Sequence, residues 1–469
     1  MGKEFSLEPR SVPRVETKYR RIVTPIPNPD SLPTLERLRR FEPEAMRGQP
    51  PVVWDRAEGL CVYDKYGNCW LDWSSGVLVT NSGHCAPEVR QAILDQVNRR
   101  LLHNYCFPSE VRADLVEGLA GLAPPGLGKV FLLTTGSEAT ECAIKLSRAH
   151  GIKAGGRQKI GIIGWERGFH GRTLGAQQAG GIAGQKTWII NEDPAIVTVP
   201  FPDGYWQTDT SFATFLAAIA ARGLQPEHVA GVLMETYQGV GPDFAPVPFV
   251  RTLREWCDRH QIVLAFDEVQ AGFGRTGKFW GFEHYGVVPD LICCGKGISS
   301  SLPLAAVIGR QEILDLFPPG SLSSTHTGNP VCAAAALANV RKIVRDRLAD
   351  NAAQLGPLLL RGLEDIQARH PEVIGRVSAC GLVGGLQAVK RGRKEPDHDL
   401  AQAIVECCVW KGLMLFGPVG AWGQTVKIAP PLTVCREALE EGISVMGEAT
   451  DAEVARLGKS AECRVRSGE

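Results

Sequence analysis

Between about residues 110 and 310 of this 469-residue chain, one alternation limits the fold more than any other feature. Short apolar runs recur: "KVFLLTT", "KIGIIGWE", "VAGVLMETY", "IVLAFDE", "DLICC" and "LAAVIGR". Longer stretches of helical spacing lie between several of them. "GSEATECAIKLSRAHG" places Ala139, Ala143, Ile144 and Leu146 on one helical face, and "PFVRTLREWCDRHQ" is a second such stretch. Strands that are apolar on both faces must be covered on both, and intervening helices do that. The pattern predicts an α/β fold, a mostly parallel sheet covered by helices. Ligands of such sheets bind beyond the carboxyl ends of the strands.

The length exceeds what one core holds, so a second domain is expected. Residues 1–75 read as an arm rich in Pro, Arg and Glu, with a short helix around Leu32–Arg40. The arm ends in a hairpin within "LCVYDKYGNCWLDW" that packs with the smaller domain. Residues 76–340 read as the large domain and 341–469 as a smaller α/β C-terminal one. "NPVCAAAALANVRKIVRDRLADNAAQ" reads as a single long helix.

With 51 basic and 51 acidic residues, the chain has no charge excess that would draw it to nucleic acid or an anionic membrane. No apolar run reaches membrane-spanning length, and "MGKEFSLEPR" has no signal-peptide core. Gly2 and Ser6 fit a loose myristoylation pattern that carries little weight. Fourteen cysteines include no CxxC pair and no zinc spacing, so no metal site is expected. Cys293, Cys294, Cys407 and Cys408 read as buried reduced thiols, which points to a cytoplasmic protein.

Three features suggest chemistry. Lys296 is a lone cation in the apolar run "DLICCGKGISSSLPLAAV", where a charge is costly unless it is paired or neutralised. The P-loop reading of "GKG" fails, because Gly297 follows the lysine and Asp290 stands where that motif needs glycine. Asp267 and Glu268 close the strand "IVLAF". Thr135, Gly136 and Ser137 stand where "KVFLL" turns into a helix, a place suited to phosphate as well as to a plain helix cap. A phosphate cradle, a carboxylate and a desolvated lysine at one sheet edge are what pyridoxal phosphate requires. The lysine forms a Schiff base and the acid keeps the pyridine nitrogen protonated.

The chain resembles the class III, fold type I pyridoxal-phosphate aminotransferases of the ornithine and 4-aminobutyrate type, from about residue 50 to 435. The motifs that carry the resemblance are "SSGVLVTNSGHCAP", "TTGSEATECAIKLSR", "GFHGRT", "ETYQG", "LAFDEVQAGFGRTGKFWGFEHYGVVPD", "CCGKGIS", "STHTGNP" and "KIAPPL". It implies Lys296 as the Schiff-base lysine, Asp267 as the pyridinium partner and Gln270 beside the ring hydroxyl. Gly136 and Ser137 would cradle the phosphate, Phe169 would stack on the ring, and Glu235 matches the acid of the family's "EPxQG". Thr325 would reach the phosphate of a neighbouring subunit, which implies a homodimer or tetramer with shared active sites.

Two positions depart from the glutamate-using pattern. Lys427 stands where those relatives carry an arginine for the substrate α-carboxylate, and Val240 replaces the glutamate that gates it. A lysine offers a point charge in place of a bidentate fork, so carboxylate recognition should be looser. Arg172 matches an arginine for a distal carboxylate, and Val77 matches a small apolar residue of the substrate pocket. The expected reaction moves an amino group from an amine or amino acid to 2-oxoglutarate or pyruvate. Amino-acid racemisation is the alternative and elimination of phosphate from amino-alcohol phosphates a third reading. A binding-only regulator is disfavoured by the intact set Lys296, Asp267, Thr325 and Gly136.

Overall fold

The structure is a computed structural model that describes residues 4–467, with side chains to Leu457; Gly2 lies outside the described residues. Residues 86–350 form one compact unit, and the chain up to Cys85 and from Asn351 forms another.

The unit spanning residues 86–350 is built on seven strands: β1 (Lys129–Leu133), β2 (Gly161–Trp165), β3 (Ile196–Val199), β4 (Val229–Glu235), β5 (Val263–Asp267), β6 (Leu291–Cys294) and β7 (Ala305–Gly309). Their order across the sheet is β1-β7-β6-β5-β4-β2-β3. Only β7 runs antiparallel, to both β6 and β1, so the other six point the same way. Every residue of β4 through β7 is buried, as their uninterrupted apolar sequences require. β3 was not among the expected strands. It is an edge strand of alternating burial, too short to stand out from its loop.

Helix α1 (Gly136–Gly155) follows β1, and its Ala139, Ala143, Ile144 and Leu146 are buried against the sheet in one cluster with Val263, Leu291 and Val307. Burial of this face, at roughly 25 cal/mol per Å² of apolar surface, holds α1 in place. The long helix expected after "NP" is two helices: α2 (Pro330–Arg345) stops, Arg347 takes a left-handed conformation at φ 52°, and a second helix runs over Leu348–Arg369. Asp346 and Arg347 carry the break through local polar contacts, Arg345 to Asp346 at 2.6 Å among them. Helical spacing on both sides hides such a break from the sequence.

In the other unit, the expected short helix spans Leu32–Phe41 and the expected hairpin pairs Cys61–Tyr63 with Cys69–Asp72 in antiparallel register. A three-stranded antiparallel sheet joins Ile374–Cys380, Val383–Ala388 and Thr425–Ile428. Cys407 and Cys408 are buried here, as Cys293 and Cys294 are in the seven-stranded sheet, and all four are free thiols. Among the described residues, no helix is long and apolar enough to cross a membrane, and no cluster of His, Cys, Asp and Glu has the makings of a metal site.

Candidate active site

Strand register gathers the titratable groups. β4 ends at Glu235 and β5 at Asp267, and these two residues pair directly. Asp267 pairs in turn with Cys293 of β6, and Lys296 follows two residues after that strand ends. β1 and β2 run in the same direction, so Thr134–Ser137 and Glu166–Arg172 leave the sheet at this edge too.

Lys296 opens a single tight turn, Lys296–Ile298, with φ 42°. A non-glycine residue in that region is strained, and such strain gathers at functional sites. The residue as a whole is half-buried. Burial lowers the pKa of its amine, against the opposing pull of Asp267 and Glu235. The consequence is a larger share of neutral, nucleophilic amine at neutral pH.

Asp267 is buried and its two oxygens are both engaged. Oδ1 accepts the Val269 N–H at 3.0 Å, and Oδ2 lies 2.8 Å from His170 Nδ1. His170 is fully buried. Burial alone would lower its pKa, but the Asp267 carboxylate and the charge of Glu235 overcome this and raise it. Among the described residues its Nε2 has no hydrogen-bond partner. Sequence reasoning singled out Phe169 and Arg172 in "GFHGRT" but passed over His170 between them. The position beside a stacking aromatic after β2 was the available signal.

Glu235 clasps two loops. Its Oε2 accepts the N–H of Phe169 at 2.9 Å and its Oε1 that of Gly239 at 2.7 Å. Burial raises its carboxyl to about 7, with the nearby His170 acting in the opposite sense. Gln270 stands beside this clasp: a Cβ on Gly239 would fall 2.4 Å from Gln270 Nε2. Phe169 is half-buried, and the exposed Arg172 holds its guanidinium 5.7 Å from the Phe169 ring centre.

At the start of α1, Thr135 accepts the Glu138 N–H while Glu138 accepts the N–H groups of Thr134 and Thr135. This capping box fixes the helix end, whose dipole favours an anion beside Gly136 and Ser137. Gly136 packs tightly, since a Cβ there would meet Val269 Cγ1 at 2.9 Å. Ser137 lies against the "GFHGRT" loop, where a Cβ on Gly171 would fall 2.2 Å from its Oγ.

Not every predicted residue joins this cluster. Thr325 is exposed in the loop before α2. Glu268 is wholly buried and structural: it accepts the N–H groups of Gly281 and Phe282 and the Thr236 hydroxyl. Lys427 and Val77 belong to the other unit. Lys427 is buried in the strand Thr425–Ile428, opposite Gly385. Val77 is 43% exposed within a turn hydrogen-bonded to Ala429, two residues beyond Lys427.

The family model described as "Aminotransferase class-III" matches residues 44–450. This chain is a class-III aminotransferase. It is 34% identical over 445 residues to the 4-aminobutyrate aminotransferase of Mycobacterium leprae, covering 91% of this chain and 97% of that one. It is also 34% identical over 401 residues to the acetylornithine aminotransferase of Methanopyrus kandleri, covering 85% and 94% respectively. Among solved structures, a Bacillus anthracis aminotransferase superposes with TM-score 0.81 at 30% identity, covering 90% of this chain and 99% of the other. A transaminase from the marine bacterium Virgibacillus gives TM-score 0.81 at 27% identity, covering 91% and 100%. The aminotransferase therefore has the fold type I architecture of its family, depends on pyridoxal 5'-phosphate and transfers amino groups.

Proposed function

We propose that the amino group passes from an amine or amino acid to a keto acid, 2-oxoglutarate or pyruvate, with Lys296 and Asp267 as the catalytic pair. One observation carries this reading: register brings Glu235, Asp267 and the strand leading to Lys296 to a single sheet edge. The residues there fit pyridoxal 5'-phosphate. The edge offers an amine with lowered basicity, a carboxylate for a ring N–H and a helix start that favours a phosphate. When bound, the cofactor supplies an electrophilic aldehyde and an electron-withdrawing ring that make a proton on the substrate Cα removable.

The chain's own groups do the rest. Lys296 would hold the bound cofactor through Nζ, and its amine, once free, would carry the substrate Cα proton as general base and acid. Asp267 would hold a proton on the ring nitrogen of the bound cofactor. Gly136 and Ser137 would take the phosphate, Phe169 would stack on the ring and Gln270 would stand by the ring hydroxyl, while Glu235 fixes the backbone of Phe169. Thr325, exposed on its loop, suits a role in a partner's site, which makes the working unit a homodimer or tetramer.

Lys427, Arg172 and Val77 are assigned to the substrate. The relatives named for 4-aminobutyrate and acetylornithine support a donor that carries both an amine and a carboxylate. Lys427 supplies one positive charge for that carboxylate. The abundance of unpaired thiols supports a cytoplasmic setting.

A donor panel with pyruvate and 2-oxoglutarate, run beside a chiral assay of each amino acid, tests the proposal. Keto-acid-dependent consumption of a donor without inversion is expected. Inversion without a keto acid would replace transamination by racemisation.

A further inference from the structure

The hairpin strands Cys61–Tyr63 and Cys69–Asp72 bring two thiols onto one face. Register sets Cys61 opposite Leu71 and Tyr63 opposite Cys69, so Cys61 and Cys69 are diagonal neighbours on the same side of the hairpin. Their sulfurs converge on one acceptor. Cys61 Sγ donates to the Tyr19 carbonyl at 3.5 Å, and Cys69 Sγ donates to the same oxygen at 3.6 Å. Both are free thiols, Cys61 buried and Cys69 half-buried. All three residues belong to one compact unit.

Packing does not account for this pair. A cysteine kept as a small hydrophobe is inert, because apolar surroundings disfavour its thiolate. Cys293 and Cys408 are of that kind: burial pushes their thiols well above the ordinary range. Cys69 differs. The hydrogen bond from Cys61, followed by the Tyr63 hydroxyl and the charge of Arg56, holds its thiol below the ordinary value in spite of burial. The Cys61 thiol moves up, because of its hydrogen bond with Cys69 and its burial. One sulfur is thus disposed to attack while its neighbour keeps a proton, the division of labour between a sensing and a resolving cysteine.

We propose that Cys61 and Cys69 are a redox-active dithiol, which a hydroperoxide converts to a reversible disulfide. The Cys69 thiolate attacks one peroxide oxygen. The O–O bond breaks, the other oxygen takes up a proton and leaves as water or an alcohol, and Cys69 becomes a sulfenic acid. The Cys61 sulfur then attacks the Cys69 sulfur, the S–O bond breaks, and water leaves with the Cys61 proton. The two sulfurs lose two electrons, which the O–O bond has taken up. Diagonal neighbours lie roughly 7–8 Å apart at Cα. That is wider than a relaxed disulfide spans, so the bridge strains the hairpin and small thiols reduce it readily. Oxidation also removes both thiol donors from the Tyr19 carbonyl. Tyr19 lies in a turn clipped to the helix Arg436–Ser467 by Lys18 with Glu437 and Arg20 with Glu441, so the bridge loosens that attachment.

The test treats full-length holoenzyme with dilute hydrogen peroxide, followed by differential alkylation and digestion without reductant. Two alkylatable thiols per chain are lost, Cys61 and Cys69, before the exposed Cys85 and Cys106 react. The two cysteines are recovered as one cross-linked peptide, and dithiothreitol restores both. Phenylarsine oxide, which needs two adjacent thiols, shields the same pair from alkylation in wild type, so the test does not depend on a variant that folds. In Cys61→Ser no bridge forms, and dimedone traps Cys69 as its sulfenic acid. The proposal is overturned if Cys61 and Cys69 stay reduced after Cys85 and Cys106 have oxidised. A bridge from Cys69 to Cys85 or Cys435, no shielding by phenylarsine oxide, or no dimedone label on Cys69 in folded Cys61→Ser overturns it equally.

Discussion

His170 Nδ1 stands 2.8 Å from Asp267 Oδ2, in a pocket where His170 has no solvent exposure and 97 residues of chain separate the two. The pairing fixes the orientation of the carboxylate that the proposed function assigns to the pyridine nitrogen.

Replacing His170 by Phe removes that donor and leaves the ring volume. A hydrogen bond to a charged group is worth about 1.5–3 kcal/mol, so kcat should fall about 10–100-fold with little change in KM. Steady-state kinetics decide this, and His170→Gln should restore part of the loss because its amide N–H can reach a carboxylate. Equal kcat in His170→Phe and wild type would remove His170 from the catalytic apparatus.

Lys296→Ala should abolish turnover and leave the fold intact. Borohydride reduction of wild type followed by digestion should tag only the peptide around Lys296, and the variant should yield none. Thermal melting of the cofactor-free proteins should show the variant at least as stable as wild type, since a desolvated amine in an apolar run has been removed.

Glu235 gives a pH prediction whose sign is fixed. Burial raises its carboxyl from 4.5 to about 7. The folded state therefore holds a proton that the unfolded state releases, so this contribution is present below pH 4.5 and is lost as pH rises to about 7. Glu235→Gln cannot ionise. The melting temperature of cofactor-free Glu235→Gln minus that of wild type should rise between those two pH values and level off above. Glu268, raised to about 7 by burial, titrates in both proteins and cancels from the difference. A flat difference would show that Glu235 is ionised throughout.

Lys427→Ala should raise KM for a carboxylate-bearing donor about 10–100-fold, the loss of one charge-assisted contact of about 1.5–3 kcal/mol, and leave KM for a simple amine such as 1-phenylethylamine unchanged. A rise for both donors would mean that removing a buried side chain has disturbed the strand Thr425–Ile428, not a substrate contact.

The sequence alone was enough to place the strands and the residues at their ends. Uninterrupted apolar runs marked six of the seven strands of the large sheet, and Asp267 and Lys296 followed from sitting next to two of them, because burial of a strand is written in its own residues. The resemblance to a known family supplied roles for Phe169 and Gln270 that spacing could not. Only the tertiary structure joined His170 to Asp267 and revealed the clasp from Glu235 to Phe169 and Gly239. It also wound Ser75–Leu78 to the left, against the preference of a valine. These features depend on contacts between segments far apart in the chain and on backbone held by distant anchors such as Ala429. Local propensity carries no trace of either, since the energy that fixes them comes from burial and hydrogen bonds that exist only once the chain has folded.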